Sequence, residues 1–274
     1  MGDITKPPQG DKTLPDLQDP QAALARAWPR LLDMAAGRPN LDTPAADADP
    51  LWALYAPIAG GRGQPAFVVG QLGQSLDGRI ATATGQSRYI NGPEAIGHLH
   101  RLRALVDAVV VGIGTVIADD PQLTVRQVQG PSPRRVVIDP NFRLPPSARM
   151  LHDGEGAVLA IQAAAGPRPE GVEPVVVAGR GRTMAPAAIV AALAARGYRR
   201  ILVEGGAATV SAFLSAGALH RLHLSVAPLI IGSGPVGLNL PPIDALDAAL
   251  RPRAAIHALG ADVVFDLAFG AAPG

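Results

Sequence analysis

Ile201-Leu202-Val203-Glu204-Gly205-Gly206-Ala207-Ala208-Thr209-Val210 is an apolar run closed by a glutamate, two glycines and a helix start. That order is the grammar of a buried strand feeding a helix. The helix N-terminus offers unpaired N–H groups and partial positive charge, and the glycines let a phosphate reach them. A tight turn with Glu204 as a solvated cap is the blander reading. We prefer a ligand site, because the chain has only five glutamates and one closes a strand where open α/β sheets bind ligands. Short β-branched runs of the same kind recur on both sides: Ala66–Val69, Ala108–Val111, Arg135–Ile138, Ala157–Ala160, Val175–Val177 and Leu222–Val226. They are continuous rather than alternating, as strands covered on both faces should be. Helical stretches over Pro93–Leu105, Pro186–Arg196 and Ala207–Ala216 lie between several of them. Strands alternating with helices predict an α/β domain with a mostly parallel central sheet flanked by helices. Ala254–Leu259 and Asp262–Leu267 read as a C-terminal antiparallel hairpin around Gly260-Ala261.

Two further turns suit a bound ligand. Gly70–Ala81 carries a strand into a turn at Asp77-Gly78; Asp77 reads as a turn residue, and Gly73 as a place where another group nears the backbone. Val111–Arg126 contains Gly112-Ile113-Gly114, but Ile117 replaces the third glycine of a dinucleotide fingerprint. Asp119-Asp120-Pro121 reads equally as a turn before proline or as a pair of site carboxylates.

Composition removes whole chemistries. The 274 residues hold no cysteine, which excludes disulfides, thiolate metal sites and a Cys nucleophile. A net charge of +1 gives no electrostatic case for nucleic acid or an anionic membrane. With only 4% aromatics the core must be aliphatic. No apolar run suits a membrane span, and the polar N-terminus lacks a secretory signal, so a cytoplasmic protein is expected. Residues 1–64 are Pro-rich, with a candidate amphipathic helix over Ala22–Ala36 (Leu24, Trp28, Leu31, Leu32) that Pro29 interrupts or kinks. They read as an extension of short helices, anchored by Trp52 and Tyr55, before a domain over 65–274. A mostly disordered tail is the competing reading for residues 1–20. His98, His100, His220 and His223 lack metal spacing and read as structural or exposed.

The motifs Ser75-Leu76-Asp77-Gly78-Arg79, Gly85–Ile90, Leu102-Arg103, Gly114–Arg126, Val137-Ile138-Asp139 and Val203-Glu204-Gly205-Gly206 come in a characteristic order. From Phe67 to Leu267 the chain resembles the reductase domain of the bacterial riboflavin-biosynthesis deaminase–reductase family, a dihydrofolate-reductase-like fold, as a stand-alone member. The resemblance implies an NADPH-dependent reductase that turns the ribosyl group of a 5-amino-6-(5-phosphoribosylamino)uracil-type substrate into ribityl, with no metal or flavin. Carried over, the substrate positions are Ser87, Arg103, Leu123, Arg126 and Glu204. The cofactor positions are Gly73, Tyr89, Thr115, Asp119, Pro140 and the turn and helix start Gly205, Gly206, Ala207, Ala208 and Thr209. Glu204 would accept from pyrimidine amino groups. Asp119 would orient the nicotinamide ribose or assist proton transfer; these two are the catalytic candidates.

There are departures from the pattern. The family's zinc deaminase half uses two cysteines, and with none in these residues the deaminase step is expected to lie elsewhere. Tyr89 stands where Trp is common, and Pro140 where a small hydroxyl residue is usual, removing a donor. Arg134, Arg135 and Arg143 can hold a 2′-phosphate or be ordinary surface arginines. Family members are commonly dimers that join sheets, and His223–Ile231 is the candidate contact strand. Competing readings are a dihydrofolate- or dihydropterin-type reductase, which has less use for Ser87, Arg103 and Arg126, and a non-catalytic NADPH-binding module.

Overall fold

A computed structural model describes residues 20–38, 50–63, 65–88, 90–178 and 184–270. Nine strands form one sheet: β1 (Phe67–Ser75), β2 (Ala108–Gly112), β3 (Arg134–Ile138), β4 (Val158–Gln162), β5 (Val172–Val176), β6 (Arg200–Val203), β7 (Arg221–Ala227), β8 (Arg253–Leu259) and β9 (Asp262–Ala268). Their order is β5-β4-β3-β2-β6-β1-β7-β9-β8. Every pairing from β5 to β7 is parallel, and β9 and β8 continue the sheet antiparallel. The mostly parallel sheet and its C-terminal hairpin are therefore as the sequence predicts.

The continuous apolar runs have a direct physical cause. Side chains alternate across a strand, and here both faces are covered. Val109 and Val111 of β2 point into one core with Leu202 and Val137; Ala108 and Val110 point into the other with Ile201, Val203 and Val136. Helices α3 (Pro93–Leu105) and α4 (Ile113–Asp119) follow β1 and β2; α5 (Pro186–Ala194) and α6 (Ala207–Ser215) bracket β6. Before the sheet come α1 (Pro20–Ala35) and α2 (Pro50–Ala59). Helix α1 continues through Pro29 rather than stopping there. Trp28, Leu31, Trp52, Leu54, Tyr55 and Ile58 are buried in the first core, each apolar side chain of that size contributing roughly 1.5–3 kcal/mol. Leu24's side chain and the tail 1–19 lie outside the described residues.

A buried polar chain ties α2 to the sheet. Tyr55 Oη lies 2.7 Å from His98 Nδ1, and His98 Nε2 lies 3.1 Å from His223 Nδ1. His223 Nε2 in turn sits 3.3 Å from Asp266 Oδ1, close but out of hydrogen-bond alignment. Asp266 is held by Arg221, whose Nε donates at 2.8 Å. The Tyr55 end sets the direction of the chain. Arg101 donates to the Tyr55 oxygen, so the Tyr55 hydroxyl donates to His98 Nδ1, and neutral His98 donates from Nε2 to His223. Burial, then the neighbouring His223 and Arg101, pushes the His98 pKa well down, and the ring is neutral.

The strand order corrects the expected contact strand. β7 lies between β1 and β9, so its backbone groups are used on both sides and it cannot pair with a second chain. The sheet's free edges are β5 and β8. Sequence periodicity reports whether a strand is buried, not which neighbour lies beside it.

Candidate active site

β2 and β6 are neighbours, and each runs directly into a helix, so the starts of α4 and α6 lie together at the carboxyl end of the sheet. The two turns interlock. Gly206 N–H donates to Thr115 Oγ1 at 2.9 Å. A Cβ on Gly205, whose φ is +99°, would stand 2.9 Å from that same oxygen. A Cβ on Gly112 would stand 2.5 Å from Thr209 Oγ1. These glycines thus admit the threonine of the adjacent turn. This changes the expected use of Gly206: its N–H is already taken, and the next donors in line are those of Ala207 and Ala208 in the first turn of α6.

Beside this turn, Glu204 and Arg103 face each other, both buried at 4% and 6% exposure. Arg103 Nη2 donates to Glu204 Oε1 at 2.6 Å and Nε to Oε2 at 3.0 Å, a bidentate pair. Arg103 Nη1 reaches the Thr124 carbonyl at 3.1 Å. Glu204 is therefore not a solvated cap, nor is Arg103 a surface charge. The guanidinium gives three of its five N–H groups to this carboxylate and the Thr124 carbonyl, and each carboxylate oxygen keeps one acceptor position.

Arg126 is the more exposed cation of the group. Its Nη1 donates to Thr124 Oγ1 at 2.6 Å, and its backbone N–H donates to His100 Nδ1 at 3.1 Å. Burial first, then the charges of Arg103 and Arg149, lower its pKa below the ordinary value. Burial, followed by Arg103 and Arg126, likewise pushes the His100 pKa down to about 4, so the ring is neutral and Nδ1 is free to accept. Leu123 is buried, at 1% exposure, with a left-handed φ of 60°. Asp119 is exposed at the end of α4, while Asp120 caps that helix in the left-handed region and accepts the Arg149 N–H at 2.9 Å.

Other expectations meet a different setting. Gly73 is inside β1, and a Cβ there would collide with the Asn91 side chain, so it is Asn91 that makes the close approach. Asp77 accepts from Ser75 Oγ and from the N–H groups of Ile231 and Gly232, which makes it a turn residue. Ser87 is half-buried in the loop before α3, and Tyr89 lies outside the described residues. At the end of β3, Asp139 accepts the N–H groups of Arg143 and Leu144, and Pro140 is half-buried beside it. Arg135 is not a surface arginine: at 1% exposure it pairs with Asp153 and donates to the Met150 and Gly156 carbonyls. Arg134 pairs with Glu173, and Arg143 is exposed.

Residues 66–265 match the family described as RibD C-terminal domain. The chain belongs to that family. The 2,5-diamino-6-ribosylamino-4(3H)-pyrimidinone 5′-phosphate reductase of Methanothermobacter thermautotrophicus is 38% identical over 177 residues, covering 61% of this chain and 79% of that protein. The riboflavin biosynthesis protein RibD of Mycobacterium tuberculosis is 40% identical over 166 residues, covering 59% of this chain and 42% of that protein. Among solved structures, Acinetobacter baumannii RibD superposes with a TM-score of 0.64 at 27% identity, covering 80% of this chain and 61% of that one. This RibD C-terminal domain thus spans less than half of the Mycobacterium protein and most of the Methanothermobacter reductase. Among the described residues no group of three metal-ligating side chains converges, and no helix is long and apolar enough to cross a membrane. Sequence reasoning missed His100 and Thr124. The available signal was spacing: His100 stands three residues before Arg103 and so shares its face of α3.

Proposed function

We propose that the chain is a cytoplasmic NADPH-dependent reductase that converts the ribosyl group of a 6-(5-phosphoribosylamino)pyrimidine to ribityl in riboflavin biosynthesis. The observation that carries this reading is the grouping of Arg126, Arg103–Glu204 and the Thr115/Gly205–Gly206 turn at the carboxyl ends of β2 and β6. The stand-alone Methanothermobacter relative, of which the chain covers 79%, supports it.

The residues fit a dinucleotide. Gly206, Ala207 and Ala208 leave the start of α6 without bulky side chains, and first-turn N–H groups with the helix dipole favour a pyrophosphate. NADPH would supply hydride from C4 of its nicotinamide to the sugar carbon that becomes C1′. Thr115 and Thr209 would line the cofactor, with Pro140 at its margin. Asp119, exposed beside Thr115, would orient the nicotinamide ribose or hand over the proton. Of the three arginines considered for the 2′-phosphate, Arg143 is the exposed one and takes that role. Arg126 would take the substrate phosphate, assisted by Ser87. Glu204, aligned by Arg103, would use its remaining acceptor positions for pyrimidine amino groups, against Leu123. The fold's part is to hold the two carbons in reach and exclude water.

The two substrates implied by the resemblance and by the archaeal relative differ at ring C2, an oxo group in one and an amino group in the other. Purified protein with NADPH should reduce at least one of them. Turnover of dihydrofolate or dihydropterin alone, or NADPH binding with no turnover of either pyrimidine, would replace this reading. We also propose a homodimer. Ile256 of β8 is 67% exposed and β8 is a free edge, so this edge is the proposed contact in place of β7. A monomeric mass in solution would refute it.

A further inference from the structure

Backbone groups of the segment 124–126 are held by side chains from outside it. Arg103 Nη1 takes the Thr124 carbonyl at 3.1 Å, Ser132 Oγ accepts the Val125 N–H at 3.2 Å, and His100 Nδ1 accepts the Arg126 N–H at 3.1 Å. The segment follows Leu123 at φ 60°, a conformation that costs a non-glycine residue about 1–3 kcal/mol unless its surroundings impose it. It belongs to no strand or helix, so its shape depends on these bonds. Two of the three come from one face of α3, where His100 and Arg103 lie three residues apart, and His100 is 2% exposed.

We propose that His100 is a positioning residue for substrate: by accepting the Arg126 N–H it fixes the backbone from which Arg126 reaches the substrate's phosphate. The role needs a bare Nδ1. A ring protonated there would set N–H against N–H and release the segment. It also requires a particular side-chain shape. Asparagine carries an acceptor oxygen at the same distance from the backbone as histidine Nδ1, so H100N can keep the bond, and H100L cannot.

The proposal rests on the reductase function above, and its test separates the two. For wild type, H100L and H100N, KM and kcat are measured for the ribosylaminopyrimidine phosphate and for NADPH, with the hydrogen-exchange rate of the Arg126 amide. In H100L the substrate KM should rise about tenfold, the scale of one buried hydrogen bond transmitted to binding, while the NADPH KM stays within about twofold. The Arg126 amide should exchange at least about tenfold faster in H100L. H100N should restore both to within about threefold of wild type. Equal behaviour of H100N and H100L, a change confined to kcat or to the NADPH KM, or an unaltered Arg126 amide would overturn the proposal. If wild type reduces neither pyrimidine, the function fails, and exchange at Arg126 together with ribose 5-phosphate affinity still decides His100: no change in either in H100L refutes its role.

Discussion

Replacing Tyr55 by Phe probes whether the N-terminal helices are integral to the domain. The substitution keeps the ring, its edge contact with Trp28 at 6.0 Å between centroids and its contact with His98 at 5.4 Å, and deletes only the hydroxyl. That hydroxyl stays protonated at working pH, because burial, partly opposed by Arg101, raises its pKa to about 12. Its loss leaves His98 Nδ1 without its 2.7 Å donor inside a fully buried site, where water cannot replace it. An orphaned buried acceptor costs about 1–3 kcal/mol, so Y55F should lose about 2 kcal/mol in urea unfolding. At about 2–4 °C per kcal/mol for a chain of this size, Tm should fall by about 6 °C. A double-mutant cycle isolates the bond: in an H98L background, where the acceptor is gone, Y55F should cost at least about 1 kcal/mol less. If Y55F lies within about 0.5 kcal/mol of wild type, or costs the same in both backgrounds, the Tyr55–His98–His223 chain does not brace α2 against the sheet.

Glu204→Gln should strand the Arg103 charge and cost about 3–5 kcal/mol, read by chemical denaturation, whereas Asp77→Asn at the exposed turn should leave kcat unchanged. Gly205→Ala would force a Cβ at φ +99° against Thr115 Oγ1; thermal melts should show a loss of about 1–3 kcal/mol, and NADPH should no longer raise the Tm. Stability should also decline between pH 6.5 and 4. His98, His100, His220 and His257 all have folded pKa values below the ordinary 6.5, so under that pH the unfolded chain binds more protons. A fully buried ring such as His98 contributes a slope of up to about 1.4 kcal/mol per pH unit. Asp266, lowered to about 2, adds its loss only below the ordinary carboxylate range, so a urea midpoint flat from pH 7 to 4.5 would refute neutral burial of the histidines.

What the sequence made legible was local. A run such as Val109-Val110-Val111 is covered on both faces, and that alone makes it continuous and marks it as an interior parallel strand. Pro93 at the start of α3 and the turn at Gly260 set element ends for backbone reasons that hold anywhere. The site is different because its partners are set by strand order. Arg103 and Glu204 are 101 residues apart and meet because β2, which follows α3, lies beside β6. Read singly, Glu204 suggested a ligand contact, whereas Arg103 entered only through the family resemblance. A carboxylate at the end of a buried strand, however, already demands a counter-charge before it can serve any ligand, since an unpaired buried ion is the costlier state. The same reasoning bears on the glycines. Gly205 and Gly206 were legible as a place where something must come close to the backbone, and Thr115 is the group that does so. A glycine turn thus has two claimants, the neighbouring turn and the ligand. In this fold the first is met by Thr115, so a phosphate at this turn, as proposed, would meet the N–H groups of Ala207 and Ala208 instead.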